Sequence, residues 1–174
     1  MSHSSRVVFP RGRPAGGPSS YARAMAVTSA GVLLHRLGAS GREVLLVHPG
    51  GPFWTRRDEG AWSIPKGEVA DHEAPLDAAR REFVEELGLP LPAGDLVPLG
   101  EVRLRGGKRV IAWSLQGDLD VARVVSNTFD LEWPPRSGRV RSFPEVDRAE
   151  WFALDVAVTK INAAMGPLLG RLQP

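Results

Sequence analysis

Apolar residues along this chain come in short runs separated by Gly- and Pro-rich breaks, the pattern of a domain that mixes strands with a few helices. Residues 24–37 are apolar and partly β-branched, with Val27, Val32, Leu33 and Leu34, and predict a strand. Gly41-Arg42 reads as a turn and residues 43–47 as a second strand, so the two form a hairpin. Residues 48–60 hold Pro-Gly-Gly-Pro and a charged cluster and predict a loop. A short apolar piece at 61–64 is stopped by Pro65, and 67–73 is a second loop. Pro75 suits a first helical turn, where its missing N–H has no partner to lose, and Gly88 is a natural C-terminal stop. Between them Leu76, Ala79, Phe83 and Leu87 recur at spacings of three and four, a stripe that must be buried. Strands are expected near 96–104 and 109–116 around an Arg105-Gly106-Gly107-Lys108 turn. Residues 126–142 read as a long irregular segment, 149–153 as a short strand, and 156–161 and 167–172 as helical pieces. No internal repeat is visible. This order predicts an α+β or α/β sandwich.

Composition narrows the class. With 174 residues, the chain suits one domain with a real core. The absence of cysteine removes disulfides, thiolate metal sites and cysteine nucleophiles, and fits a cytoplasmic setting. No run approaches the roughly 18 apolar residues of a membrane span, and no apolar segment follows the N-terminal basic residues as a secretory signal requires. Net charge is only +2, yet Arg6, Arg11, Arg13 and Arg23 stand in an N-terminal stretch without acids. Residues 1–22 are accordingly expected to be a flexible basic arm, solvated or touching nucleic acid, and 23–174 the folded domain.

The helix carries the candidate chemistry. Glu82, Glu85 and Glu86 share one face, where like charges repel unless a cation offsets them. Arg80 and Arg81 offset part of this. A hard divalent ion would offset it better, since Mg²⁺ prefers oxygen ligands and bridges to phosphates. Taken alone, the helix leaves open both a solvated acidic face and a metal site.

A wider frame surrounds it: Gly67, five residues, Glu73, seven residues, Arg81-Glu82-Phe83, one residue, Glu85-Glu86, one residue, Gly88-Leu89. With average residue frequencies such a match arises by chance on the order of 10⁻⁷ of the time. The frame resembles the Nudix box of the Nudix hydrolase family. That resemblance implies an α/β/α sandwich with a mixed sheet, the box forming a loop–helix–loop. It also implies Mg²⁺-dependent (or Mn²⁺-dependent) hydrolysis of a nucleoside diphosphate linked to another group. Glu82, Glu85 and Glu86 take the metal-binding positions, and Glu82 is also a candidate to orient or deprotonate the attacking water. Arg81 and Glu73 match positions that pair to brace the helix. Gly67 would let a loop carbonyl, that of Lys66, reach a metal. The stretch Trp62-Ser63-Ile64-Pro65-Lys66-Gly67 resembles a form common in Nudix enzymes acting on dinucleoside polyphosphates, with Lys66 either touching phosphate or solvated.

Residues 126–148 with the following Ala-Glu-Trp-Phe resemble a bacterial Nudix subgroup of predicted nucleoside triphosphate pyrophosphohydrolases. Phe129 and Trp133 offer faces for a base, and Arg136, Arg139 and Arg141 offer forks for phosphate. The alternative is Trp133 packed on the sheet with the arginines in solvent. Glu145, in a loop outside the box, is a candidate extra acid, as metal ligand or base. His48 and His72 lack metal-ligand spacing and read as plain polar residues. The expected substrate is a dinucleoside polyphosphate or nucleoside triphosphate, with a nucleotide sugar, a dinucleotide coenzyme or an RNA 5′ end as alternatives. A catalytically silent nucleotide-binding module is the reading from another class, and retention of all three glutamates argues against it.

Overall fold

The computed structural model describes residues 27–39 and 41–172. The expected basic arm, 1–22, lies outside the described residues. Strand β1 (Thr28–Gly38) turns back through the residues after Gly38 into β2 (Gly41–Pro49). Gly38 pairs with Gly41, so Gly41-Arg42 opens the strand and is not the turn. The reason is local: Gly41, at φ 122°, sits where only glycine is unstrained, and Arg42 already pairs with Leu37. Strand β3 (Lys66–Glu68) takes in the start of the expected 67–73 loop and pairs with Ser29–Gly31 of β1, along the edge that β2 leaves open.

Helix α1 spans Pro75–Leu87, ends on a left-handed Gly88, and buries Ala78, Ala79, Phe83 and Leu87, with Leu76 half-buried. Strands β4 (Val97–Arg103) and β5 (Arg109–Gln116) form the expected hairpin, with Gly106 and Gly107 at φ 88° and 87° in its turn. Most of the segment expected to be irregular is a second hairpin, β6 (Thr128–Glu132) with β7 (Val140–Pro144), joined by a loop at 133–139. Alternation decides this: Phe129 and Leu131 face one way, Phe129 opposes Phe143 across the pair, and the charged neighbours face solvent. The prolines that obscure this pattern sit in the connecting loop. Strand β8 (Val146–Ala153), helix α2 (Leu154–Lys160) and helix α3 (Gly166–Gly170) complete the chain.

The main sheet runs β4-β5-β1-β2-β8, parallel between β1 and β5 and antiparallel elsewhere. Alternation in its strands feeds two cores. Val32, Leu34, Leu45, Val47 and Leu115 pack with Ala79, Phe83 and Leu87 of α1. Leu33, Val44, Leu46, Val110 and Ala112 pack with Ala157, Ile161, Met165 and Leu168 on the other face. The result is an α/β/α sandwich with a mixed sheet, as expected. Among the described residues no helix is long and apolar enough to cross a membrane.

Candidate functional site

Burial of Phe83 and Leu87 against the sheet sets the flank of α1 that carries Glu82 and Glu86 against β3. Arg81 organises that side. Its Nε and Nη2 donate to the two oxygens of Glu73, both at 2.9 Å, and Nη2 also donates to the Glu68 carbonyl at 3.0 Å. Its Nη1 reaches Glu82 Oε1 at 2.6 Å and Glu85 Oε2 at 3.0 Å. These bonds, joined by one from the Ala70 N–H, hold the Glu73 carboxyl down at about 2. The expected brace between Glu73 and Arg81 is therefore present as a two-pronged ion pair. Arg80, in contrast, pairs with Asp77 at 3.6 Å, so of the two arginines it is Arg81 that offsets the glutamates.

Glu86 turns the other way. Its Oε2 accepts the Lys66 backbone N–H at 3.0 Å. Burial pushes its carboxyl up to about 7; Lys66 works against that shift, while the charges of Glu82 and Glu145 add to it. Burial likewise lowers Lys66, with Lys108 pushing the same way and Glu86 and Glu82 opposing. Gly67 has a steric reason to be glycine: a Cβ there would fall inside the Glu82 carboxylate. Glu82 is shielded at 14% exposure, whereas Glu85 at 44% opens to solvent.

Among the described residues no three acidic or histidine groups already converge on one point. Each box glutamate nonetheless keeps a second oxygen outside these hydrogen bonds: Oε2 of Glu82, Oε1 of Glu85 and Oε1 of Glu86. A carboxylate accepts at several lone-pair positions, so the Arg81 and Lys66 contacts orient these groups without saturating them. The hard oxygen donors and the crowding of negative charge at half-buried Glu86 fit a divalent cation.

Glu145, exposed between β7 and β8, is tied at both main-chain groups: its N–H donates to the Asn127 carbonyl and its carbonyl accepts from Gly50. Its charge reaches Glu86, so the fold brings it to the box. Trp133, Arg136 and Arg139 lie in the loop of the second hairpin. They follow β6 at the far end of the second hairpin, beyond a strand roughly 13 Å long. There Trp133 meets Phe53 edge to face at 5.4 Å, and the side chains of Arg136, Arg139 and Arg141 are exposed. Phe53, 60% exposed, gave no signal in the sequence beyond lying in a loop.

His48 corrects the plain-polar reading. It continues β2, is fully buried, and contacts Asp147 Oδ1 at 2.6 Å and the Arg57 carbonyl at 2.7 Å, with Trp62 edge-on at 5.1 Å. It thus ties the 50–60 loop to β8 just past Glu145. The preceding apolar run 44–47 was the available hint that its neighbour is also inside. His72 is exposed, as expected.

The comparisons agree with this geometry. Residues 25–172 match the family model of the NUDIX domain. A 74-residue stretch is 36% identical to the RNA pyrophosphohydrolase of Hahella chejuensis (strain KCTC 2396), covering 40% of this chain and 46% of that protein, so the match spans about half of the relative's length. Among solved structures, a Caenorhabditis elegans Ap4A hydrolase binary complex matches with a TM-score of 0.58 and 25% identity, over 82% of this chain and 93% of that one. A MutT protein from Methanosarcina mazei Go1 shares the fold with a TM-score of 0.54 at 22% identity, over 83% and 91% of the two chains. With the family model spanning nearly all described residues and the box assembled in three dimensions, this chain belongs to the NUDIX family.

Proposed function

We propose that this chain is a Mg²⁺-dependent pyrophosphohydrolase that cleaves a phosphoanhydride bond in a nucleoside diphosphate-linked substrate, with a dinucleoside polyphosphate as the leading candidate. The observation that carries the reading is the box helix itself. Glu82, Glu85 and Glu86 present free carboxylate oxygens beside Lys66 and Gly67, with Arg81 locked to Glu73 behind them. Glu82, Glu85 and Glu86, with a carbonyl from the Lys66 strand, would hold the cation. When bound, it supplies charge neutralisation at the phosphate and activation of water. Lys66 places positive charge where a phosphate oxygen would lie. Glu82 orients or deprotonates the attacking water, with Glu145 as a second acid facing Glu86. One water is consumed, one P–O bond breaks, and two phosphorylated products leave.

The aromatic pair of Phe53 and Trp133 at the hairpin tip bears on the substrate. Its faces offer a stacking place for a base in addition to the phosphate chemistry of the carboxylates, which favours a dinucleoside polyphosphate, with its two bases, over a mononucleotide. The likeness to an Ap4A hydrolase at 25% identity supports the same choice. A second reading, hydrolysis at an RNA 5′ end, is favoured by the relative named RNA pyrophosphohydrolase. The cysteine-free composition supports a cytoplasmic setting for either.

The test is a panel of dinucleoside polyphosphates, nucleoside triphosphates, nucleotide sugars and 5′-triphosphate RNA, run with Mg²⁺ or Mn²⁺ in heavy-oxygen water with products read by mass spectrometry. No turnover across the panel overturns the hydrolase reading, and tight binding without products would establish a silent binding module. Removing residues 1–22 separates the substrates: selective loss with RNA supports the RNA reading, and equal loss for all argues against the arm as an RNA contact.

A further inference from the structure

The face of the sheet opposite α1 is not apolar along its whole length. Leu33, Val44 and Ala112 lie on that face within the core under α2 and α3. Two residues further along each strand, with the same side-chain parity, stand His35 on β1, Arg42 on β2 and Ser114 on β5, followed by Gln116. His35 pairs with Gln116, whereas Ser114 pairs with Leu33 and Arg42 with Leu37. The change from apolar to polar is thus staggered across three adjacent strands, which bring these polar side chains to one end of the face. They line a cavity of about 600 Å³ that is closed on one side by the approach to β4 and on another by Arg171, after α3. Arg171 Nη1 donates to the carbonyls of Leu99 at 2.9 Å and Glu101 at 3.1 Å, which anchors its guanidinium at the rim.

We propose that this cavity is a second binding site, on the face away from the box, for the phosphate group of a small anion. Arg42 and Arg171 bring two guanidinium groups to one space, a geometry suited to phosphate oxygens. Ser114 and Gln116 add neutral hydrogen-bonding groups, and Asp95 is the one carboxylate among the described lining residues. The size is that of small-molecule sites. Among the described residues no Phe, Tyr or Trp lines it, so the phosphate rather than a base supplies the recognition. Burial, and then the charge of Arg42, hold the His35 imidazole below its ordinary pKa. The inference stands apart from the hydrolase reading, because the box contributes no residue to this cavity.

The experiment is a titration of the full ¹⁵N-labelled chain, in EDTA, with inorganic phosphate, pyrophosphate and adenosine monophosphate, followed by NMR. Saturable shifts centred on the His35 ring and on Gln116 and Gly117 are expected. The rank order of the three probes tells a free phosphate from a nucleotide source. Arg42→Gln should weaken this binding by about tenfold or more, as loss of a charge-assisted hydrogen bond does. Exposed Gln116→Glu, which adds a negative charge at the mouth without disturbing the core, should do the same, and both variants should retain hydrolysis by the box. Shifts confined to Lys66, Glu86 and the second hairpin overturn the proposal. So does the absence of saturation at millimolar probe, or unchanged affinity in a folded Arg42→Gln or in Gln116→Glu.

Discussion

Glu86 is held under two opposed demands. Its backbone hydrogen bond from Lys66 fixes its direction, while burial and the neighbouring acids work against its charge. Its carboxyl rises from 4.5 to about 7, so the folded metal-free chain retains a proton that the unfolded chain releases. The associated stability is full below the unfolded pKa and is lost as pH rises through about 7, a cost of roughly 3 kcal/mol once ionisation is complete. Glu86→Gln keeps an acceptor for the Lys66 N–H and removes the charge. Thermal melts in EDTA should therefore show wild type losing stability between about pH 4.5 and 7 relative to Glu86→Gln. A variant that melts with the same pH slope as wild type would show that Glu86 is not the group responsible. On the proposed function the same variant loses hydrolysis by about a hundredfold or more.

At the scale of elements, α1 works because one residue ties it to the loop before it. Arg81 makes five hydrogen bonds to Glu68, Glu73, Glu82 and Glu85, which a lysine with one nitrogen cannot reproduce. Arg81→Lys should leave the circular dichroism spectrum unchanged while lowering kcat by about ten- to a hundredfold, the usual cost of losing support behind a metal ligand. Unaltered kcat would remove Arg81 from the positioning machinery. The second hairpin makes a different prediction. If Trp133 and Phe53 hold a base, Trp133→Ala should raise KM for dinucleoside polyphosphates by about five- to a hundredfold with kcat little changed, in line with base-stacking energies. A fall in kcat at constant KM would assign Trp133 a purely structural role.

These two elements differ in how far they could be read before folding. Helix α1 was legible to the residue, because Pro75, the three-and-four stripe and Gly88 are all local signals. The second hairpin was not, because its alternation is short and is interrupted by Trp133-Pro134-Pro135 and by arginines whose side chains lie in solvent. Its strands are defined by each other across the pair, from Thr128 against Pro144 to Glu132 against Val140.

For the whole molecule, the proposed metal site predicts linkage between cation and fold. An ion that binds only the native state stabilises it by RT ln(1 + [L]/Kd), about 2.7 kcal/mol at a hundredfold excess over Kd. Mg²⁺ should therefore raise the melting temperature of wild type at pH 8 in a concentration-dependent way and have little effect on Glu86→Gln. Equal shifts in both would place the cation elsewhere.

By itself the sequence determined the mixed α/β architecture, the limits of α1 and the shared face of the three glutamates, because spacing along a single helix is set by local geometry, while the resemblance to the Nudix box joined Arg81 and Glu73 to them. Tertiary structure decided what depends on residues distant in the chain. It gave Gly67 its steric role under Glu82, aimed the Lys66 N–H at Glu86 and brought Glu145 within electrostatic reach of the box. It also set Trp133 against Phe53, buried His48 against Asp147, and gathered His35, Arg42 and Gln116 from three strands around one cavity. Helix-local contacts have fixed sequence offsets, whereas contacts across strands and loops exist only once the register of the sheet has been chosen.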